Sequence, residues 1–253
     1  MAPNIVTTLS NDFKSNIIIN LSACLYCIGD YSEAISYLLL VYDLQPNNIE
    51  VLSRIADGYS KLNSYDNALE YLNKATLLDP NNLDILKNLG RTYKLKGDYK
   101  NSIECFEEAK TLQPNDAGIY LALATIYGDT ISPYYNMQTA TEYSKKAVEI
   151  LPSLSNRLVY LSMLSRNGRF KDALTEIRQI EKQIEFEQNR HYEHLMIGLF
   201  YNRIKDYKRA ILHFHEALPD FAHILKDNPE FQEIRLLEEF NDLEKQIDSI
   251  LNK

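Results

Sequence analysis

The chain has 253 residues, 45% hydrophobic and 25% charged, with a formal net charge of −8. The apolar fraction excludes a disordered chain, and the acidic balance argues against DNA or RNA as the main partner. No stretch approaches the roughly 18–20 uninterrupted apolar residues of a spanning helix, so membrane insertion is not expected.

Residues 1–14 are expected to form an N-terminal segment. The first thirty residues carry one basic residue, Lys14, and Asp12 interrupts the approach to the short apolar run Ile17–Ile19. No secretory signal is visible there. Three cysteines make no disulfide framework and suggest a reducing compartment, so a cytoplasmic location is expected.

From residue 15 one design recurs. Gln45-Pro46-Asn47-Asn48, Asp79-Pro80-Asn81-Asn82 and Gln113-Pro114-Asn115-Asp116 place their prolines 34 residues apart, and Leu151-Pro152-Ser153 follows after 38. A second motif falls between the prolines. It reads Gly29-Asp30-Tyr31, Asn63-Ser64-Tyr65, Gly97-Asp98-Tyr99, Gly168-Arg169-Phe170 and Lys205-Asp206-Tyr207, followed after two intervening residues by Ala34, Ala68, Ser102, Ala173 and Ala210 in turn. Leu52, Ile55, Ala56 and Tyr59, then Leu69, Leu72 and Ala75, sit at helical spacing. Gly29, Gly97 and Gly168 stand where a helix ends in a positive φ, and Asp30, Asp98 and Asp206 are suited to cap the next helix. Each proline closes the second helix, and Asn48, Asn82 and Asp116 are placed to cap the first helix of the following unit. Every period is therefore helix, tight turn, helix, turn.

The fourth unit is stretched at Asp129–Asn136, where Pro133 beside Tyr134 and Tyr135 predicts a protruding loop. The fifth has a second helix prolonged through the polar stretch Glu181–Arg190. After Pro219 the pattern is lost. Asp227-Asn228-Pro229-Glu230 is expected to start one long capping helix with Phe231, Ile234, Leu237, Phe240, Ile247 and Ile250 along one side.

These motifs resemble the tetratricopeptide repeat, a 34-residue helix–turn–helix unit. Leu52, Ile55, Ala56, Tyr59, Ala68, Leu72, Ala75 and Pro80 occupy its pattern in the second unit. Leu86, Leu89, Gly90, Tyr93, Phe106, Ala109 and Pro114 do so in the third, with Ser102 replacing the usual alanine. The last unit supplies Ile197, Gly198, Tyr201, Ala210, Phe214 and Ala217. The first is a weaker match, because Ser22 and Leu25 replace the favoured Gly/Ala and Tyr. The resemblance implies an all-α fold, an α-α superhelix (solenoid) of about six such units with a C-terminal cap. The units fall at about 15–48, 49–82, 83–116, 117–154, 155–190 and 191–218, with capping helices over 219–253.

The resemblance also implies function: a protein–protein interaction module, an adaptor or assembly scaffold, that holds a partner peptide or helix in the concave groove. The alternative is a regulatory or sensor module controlled by a short peptide. By the family's geometry the groove residues of the second and third units include Arg54, Lys61, Lys87, Asn88, Arg91 and Lys94. Lys87, Arg91 and Lys94 share one helix face. They form either a basic patch for an acidic peptide or C-terminal carboxylate, with Asn88 bonding its backbone, or a solvated face of mixed charge. Ile19, Ala23, Tyr26 and Cys27 of the first unit, with Leu195, Met196 and Leu199 of the last, are either an apolar docking surface or ordinary core. Some members of the family hold the C-terminal carboxylate of heat-shock chaperones in a clamp of cations and asparagines. Ile19, Ala23, Arg54, Asp84 and Asn88 stand at those positions, so the clamp is missing.

Catalytic chemistry is not expected. Cys24-Leu25-Tyr26-Cys27 offers half a zinc site, but Cys105 has no partner pair, so small packing residues are the better reading. His191 and His194 share a helix face, whereas His213 and His215 point apart, and interhelical or surface roles are preferred over a metal. No Gly-rich phosphate loop or nucleophile elbow occurs, and no cofactor or metal is implied.

Overall fold

The computed structural model describes residues 11–184, 190–227, 234–237 and 240–251, and all regular structure among them is helical. Residues 1–10, the extension of the tenth helix over 185–189, and Asn228, Pro229, Glu230 and Phe231 of the expected capping helix lie outside that set.

The chain divides into two compact units, residues 1–135 and 136–253. The first holds α1 (Asn11–Ile28), α2 (Tyr31–Leu44), α3 (Ile49–Lys61), α4 (Tyr65–Leu78), α5 (Leu83–Lys96), α6 (Tyr99–Leu112) and α7 (Ala117–Tyr127). The helices pair in chain order, α1 with α2, α3 with α4 and α5 with α6. Each first helix also packs on the preceding second helix, and α3, α5 and α7 lie side by side. Two apolar clusters fill the joints. Ile19, Ile35, Leu38, Val41, Val51 and Ile55 form one, and Leu52, Ala56, Ala68, Leu72, Ala75 and Ile85 belong to the other.

The second unit holds α8 (Met137–Ile150), α9 (Leu154–Arg166), α10 (Phe170–Ile184), α11 (His191–Arg203), α12 (Tyr207–Asp227) and α13 (Phe240–Leu251). One continuous core runs from Leu158 and Leu161 through Ile177, Phe200 and Phe214 to Phe240 and Ile247.

The turns follow the motif. Gly29, Gly97 and Gly168 take φ of 83°, 86° and 71°, and Asn63 and Lys205 occupy the same left-handed conformation at 58° and 62°. After three of these turns a side chain caps the next helix, whereas Ser64 makes no such bond to α4. Asp30, Asp98 and Asp206 accept from Glu33, Asn101 and Arg209 amides at 3.1, 3.2 and 3.4 Å. Asn48 accepts from Val51 at 3.2 Å, Asn82 from Asp84 and Ile85, and Asp116 from Gly118 at 2.8 Å.

Two expectations are corrected. The first helix begins at Asn11, inside the segment expected to precede it. The helix that carries Pro219 breaks just beyond it: Phe221 leaves the helical range (φ −122°, ψ 16°), and a further helical stretch runs on from this kink to Asp227. Ala222 and Leu225 beyond the kink are buried in the core. No single long helix follows. Ile234–Leu236 is a turn of 3₁₀ helix, and α13 starts only at Phe240.

Candidate functional site

One face of the first unit is built from its first helices, and two adjoining clefts open on it. The larger, of about 660 Å³, has Ala23 and Tyr26 of α1 on one side and Asp84 and Asn88 of α5 on the other. Ile49, Glu50, Ser53, Arg54 and Asp57 of α3 lie between them, with the α5 cap residue Asn82. The smaller, of about 390 Å³, is lined by Ala56, Asp57, Ser60 and Lys61 of α3 and by Asn88, Arg91, Thr92 and Leu95 of α5, over Leu72 of α4. Asp57 and Asn88 belong to both.

Tyr26 sets the wall of the larger cleft. Its hydroxyl donates to the main-chain carbonyl of Arg54, and its ring meets Tyr31 edge-on with centroids 5.5 Å apart. Burial, with the Asp57 carboxylate nearby, raises its phenol above the ordinary range. Gly58 makes this approach possible, because a Cβ there would lie 2.5 Å from the tyrosine oxygen and 2.7 Å from Ile35 Cγ1.

The expected groove cations have different fates. Lys87 Nζ binds Asp116 Oδ2 at 2.9 Å, with both side chains largely covered. Burial alone would raise the Asp116 carboxyl, but Lys87 and the amides of Gly118 and Ile119 hold it below its ordinary value. Lys94 is half-buried and donates to Thr125 Oγ1 at 2.9 Å; burial lowers its pKa. Arg54 pairs with Glu50 at 3.0 Å. Arg91 is exposed and donates to Asn88 Oδ1, while Lys61 is exposed. Neither Arg91 nor Lys61 forms an ion pair with a described residue, and the same is true of Asp57 and Asp84. Lys87, Arg91 and Lys94 therefore do not act as one patch of three free cations.

The apolar candidates divide as well. Ile19 is 8% exposed and packs in the core with Ile35 and Leu38, so it does not face the groove. Its backbone position is one that α2 and α3 cover. Leu195 is likewise core, at 4% exposure, beside Phe200 and Phe214. Met196 and Leu199 are half-buried and line a separate cleft of about 240 Å³ with Leu161, Ser165, Arg166 and Arg203. Cys24 and Cys27 are both exposed rather than packed inside, whereas Cys105 is partly buried and its thiol is pushed up to about 11 by burial. Tyr134 and Tyr135 stand exposed on a loop that Asp129 anchors. Asp129 accepts from the Tyr99 hydroxyl at 3.0 Å and from the Ile131 amide at 3.1 Å.

Two of the histidines are interhelical, and the sequence did not say which would meet. His194 and His213, from α11 and α12, meet Nδ1 to Nδ1 at 3.0 Å, and Tyr201 stacks on His213 at 5.6 Å. Nineteen residues separate them, and only the hairpin geometry brings them together. Among the described residues no group of three or more His, Cys, Asp or Glu could hold a metal ion, and no helix is long and apolar enough to cross a membrane.

Tetratricopeptide-repeat family models match residues 49–82 and 83–116. No curated protein matches in sequence. Solved structures of similar fold include PilF of Pseudomonas aeruginosa, with a TM-score of 0.69 at 17% identity, covering 89% of this chain and 98% of that one. MamA of Desulfovibrio magneticus superposes with a TM-score of 0.57 at 23% identity over 70% of this chain and 97% of its own. YrrB, described as a tetratricopeptide protein with an unusual peptide-binding site, gives 0.55 at 18% identity over 79% of this chain and 98% of its own. The chain carries tetratricopeptide repeats, at 49–82 and 83–116 by sequence, and its fold is the all-α hairpin fold of tetratricopeptide-repeat proteins.

Proposed function

We propose that the chain is a protein-interaction module that holds a segment of another protein, an extended peptide or a helix, against α1, α3 and α5. The observation that carries this reading is the pair of adjoining clefts that share Asn88. Together they make a trough of apolar and charged side chains, half-buried Ala23, Tyr26 and Ile49 in the larger cleft and buried Ala56 and Leu72 in the smaller, the composition that peptide grooves use. Asn88 spends its side-chain oxygen on Arg91, which leaves its amide NH₂ to donate to a main-chain carbonyl of the guest. Lys61 and Arg91 are the cations available to an acidic group of that guest. Arg54 lines the larger cleft while paired with Glu50, whereas Lys87 and Lys94 line neither cleft and are bound to Asp116 and Thr125. Met196 and Leu199 in the second unit, and Tyr134 and Tyr135 on their loop, are further contact surfaces of the same module. The peptide-binding description of YrrB supports the reading by analogy of fold.

The test is site-specific photo-crosslinking. A benzophenone side chain at Asn88 should capture a partner in extract of the source cells, and the same group at Leu77, an 84% exposed position of α4, should not. Capture from Leu77 with equal yield, or none from Asn88, contradicts the reading.

A further inference from the structure

The charges of the trough are sorted, and the sorting says what the larger cleft accepts. Glu50 and Arg54 neutralise each other at 3.0 Å. That leaves Asp57 and Asp84 as exposed carboxylates on this cleft, facing no cation with which either is paired. The cations without an ion pair, Lys61 and Arg91, line the other cleft, which Asp57 borders as well, while Asp84 belongs to the larger cleft alone. Below the carboxylates the wall is apolar and half-buried: Ala23, the ring of Tyr26, and Ile49. An apolar floor under an anionic rim matches a side chain with a long hydrocarbon stem and a cationic head. The tyrosine face adds a surface that attracts a cation.

We propose that the cleft beside Tyr26 seats a lysine or arginine side chain of the bound segment, with its stem on Ala23, Tyr26 and Ile49 and its charge between Asp57 and Asp84. This rests on the trough being the binding site, and it reverses, for this part of the trough, the sign expected from sequence. The guest is thus a segment of mixed charge, with a cation here and an acidic group at Lys61 and Arg91. An all-acidic segment would meet two uncompensated carboxylates, and like-charge juxtaposition selects against it.

The experiment uses the full chain. Randomised dodecapeptides displayed on phage are selected against it, and the enriched sequences are synthesised with a fluorescent label for anisotropy titration. A double-mutant cycle then pairs Asp57→Asn/Asp84→Asn with replacement of each peptide Lys or Arg by Ala; circular dichroism verifies that the variant stays helical. The expected result is a loss of about tenfold or more from either change alone, since a charge-assisted hydrogen bond is worth roughly that factor, with little further loss when both are made. A second variant, Ala23→Trp, fills the cleft and should abolish binding. Peptides that Ala23→Trp excludes, but whose cations are absent or do not couple to the aspartates, overturn the proposal and leave the trough reading standing. Peptides indifferent to Ala23→Trp, or a selection that enriches nothing, overturn both.

Discussion

Gly90 and Gly198 have no room for a methyl group. A Cβ on Gly90 would lie 2.7 Å from Phe106 Cε2, and one on Gly198 2.5 Å from Phe214 Cε1; both rings are buried. Gly90→Ala should therefore cost about 1–3 kcal/mol through overpacking, read from the urea midpoint. Lys205 presents the opposite case. It holds φ at 62° where three sister turns use glycine, so Lys205→Gly should stabilise by up to about 1 kcal/mol. The turn was legible in the sequence because its motif recurs, and Gly90 and Gly198 share a repeat pattern with Phe106 and Phe214 in the third and last units. An interhelical role for the histidines was legible too, but not the pairing of His194 with His213. Burial holds the His213 imidazole down to about 4, with His194 adding to the effect. Burial also lowers His194, although Glu216 and Glu193 pull it upward. Glu181, 3.7 Å from His213 Nε2, and Arg209, over the Tyr201 ring, are the other charged groups nearby. Between the unfolded value near 6.5 and about 4 the unfolded chain binds the proton that the folded one refuses. Stability should therefore fall as pH drops through that window. Thermal melts at pH 7 and 4.5 should show a smaller difference for His213→Gln than for the unaltered protein; an equal difference would remove the histidine from the account.

At the scale of elements, Asp116 does two things for α7 and α5. Its Oδ1 caps the Gly118 amide, and its Oδ2 holds Lys87 of the neighbouring hairpin. Asp116→Ala should cost about 1–2 kcal/mol, while Lys87→Met, which leaves the cap intact, should cost under about 1 kcal/mol. Equal losses in urea unfolding would mean that the cap contributes nothing. The cap could be read from the proline motif. The ion pair could not, because Lys87 and Asp116 meet only when consecutive first helices stand side by side, a distance of 29 residues along the chain. This hidden pairing is why a line of three cations on α5 looked like a basic patch. The C-terminal elements depart from the repeat for a related reason. The chain kinks at Phe221, just after Pro219, and Ala222 and Leu225 beyond the kink pack into the core. Local rules placed the caps and turns of the repeat, and tertiary packing decided where the chain continues past them.

At the scale of the molecule, each helix of the first unit packs mainly on its neighbours in the chain, so stability there should be a sum of hairpins and their joints. Leu52 is fully buried in such a joint. Leu52→Ala should destabilise by about 2–5 kcal/mol. Its loss of hydrogen-exchange protection should be deepest in α3–α5 and fade toward α12 and α13; a uniform loss would indicate one cooperative block instead. The same side-by-side placing of first helices creates the trough, and the account stands or falls on whether a guest lies there. Methyl NMR of alanine- and isoleucine-labelled full chain, titrated with the tightest selected peptide, reads this directly. The account predicts shifts at Ala23, Ile49 and Ala56, which line the two clefts. Shifts confined to methyls remote from them, such as Ile177 and Ile247, would contradict it.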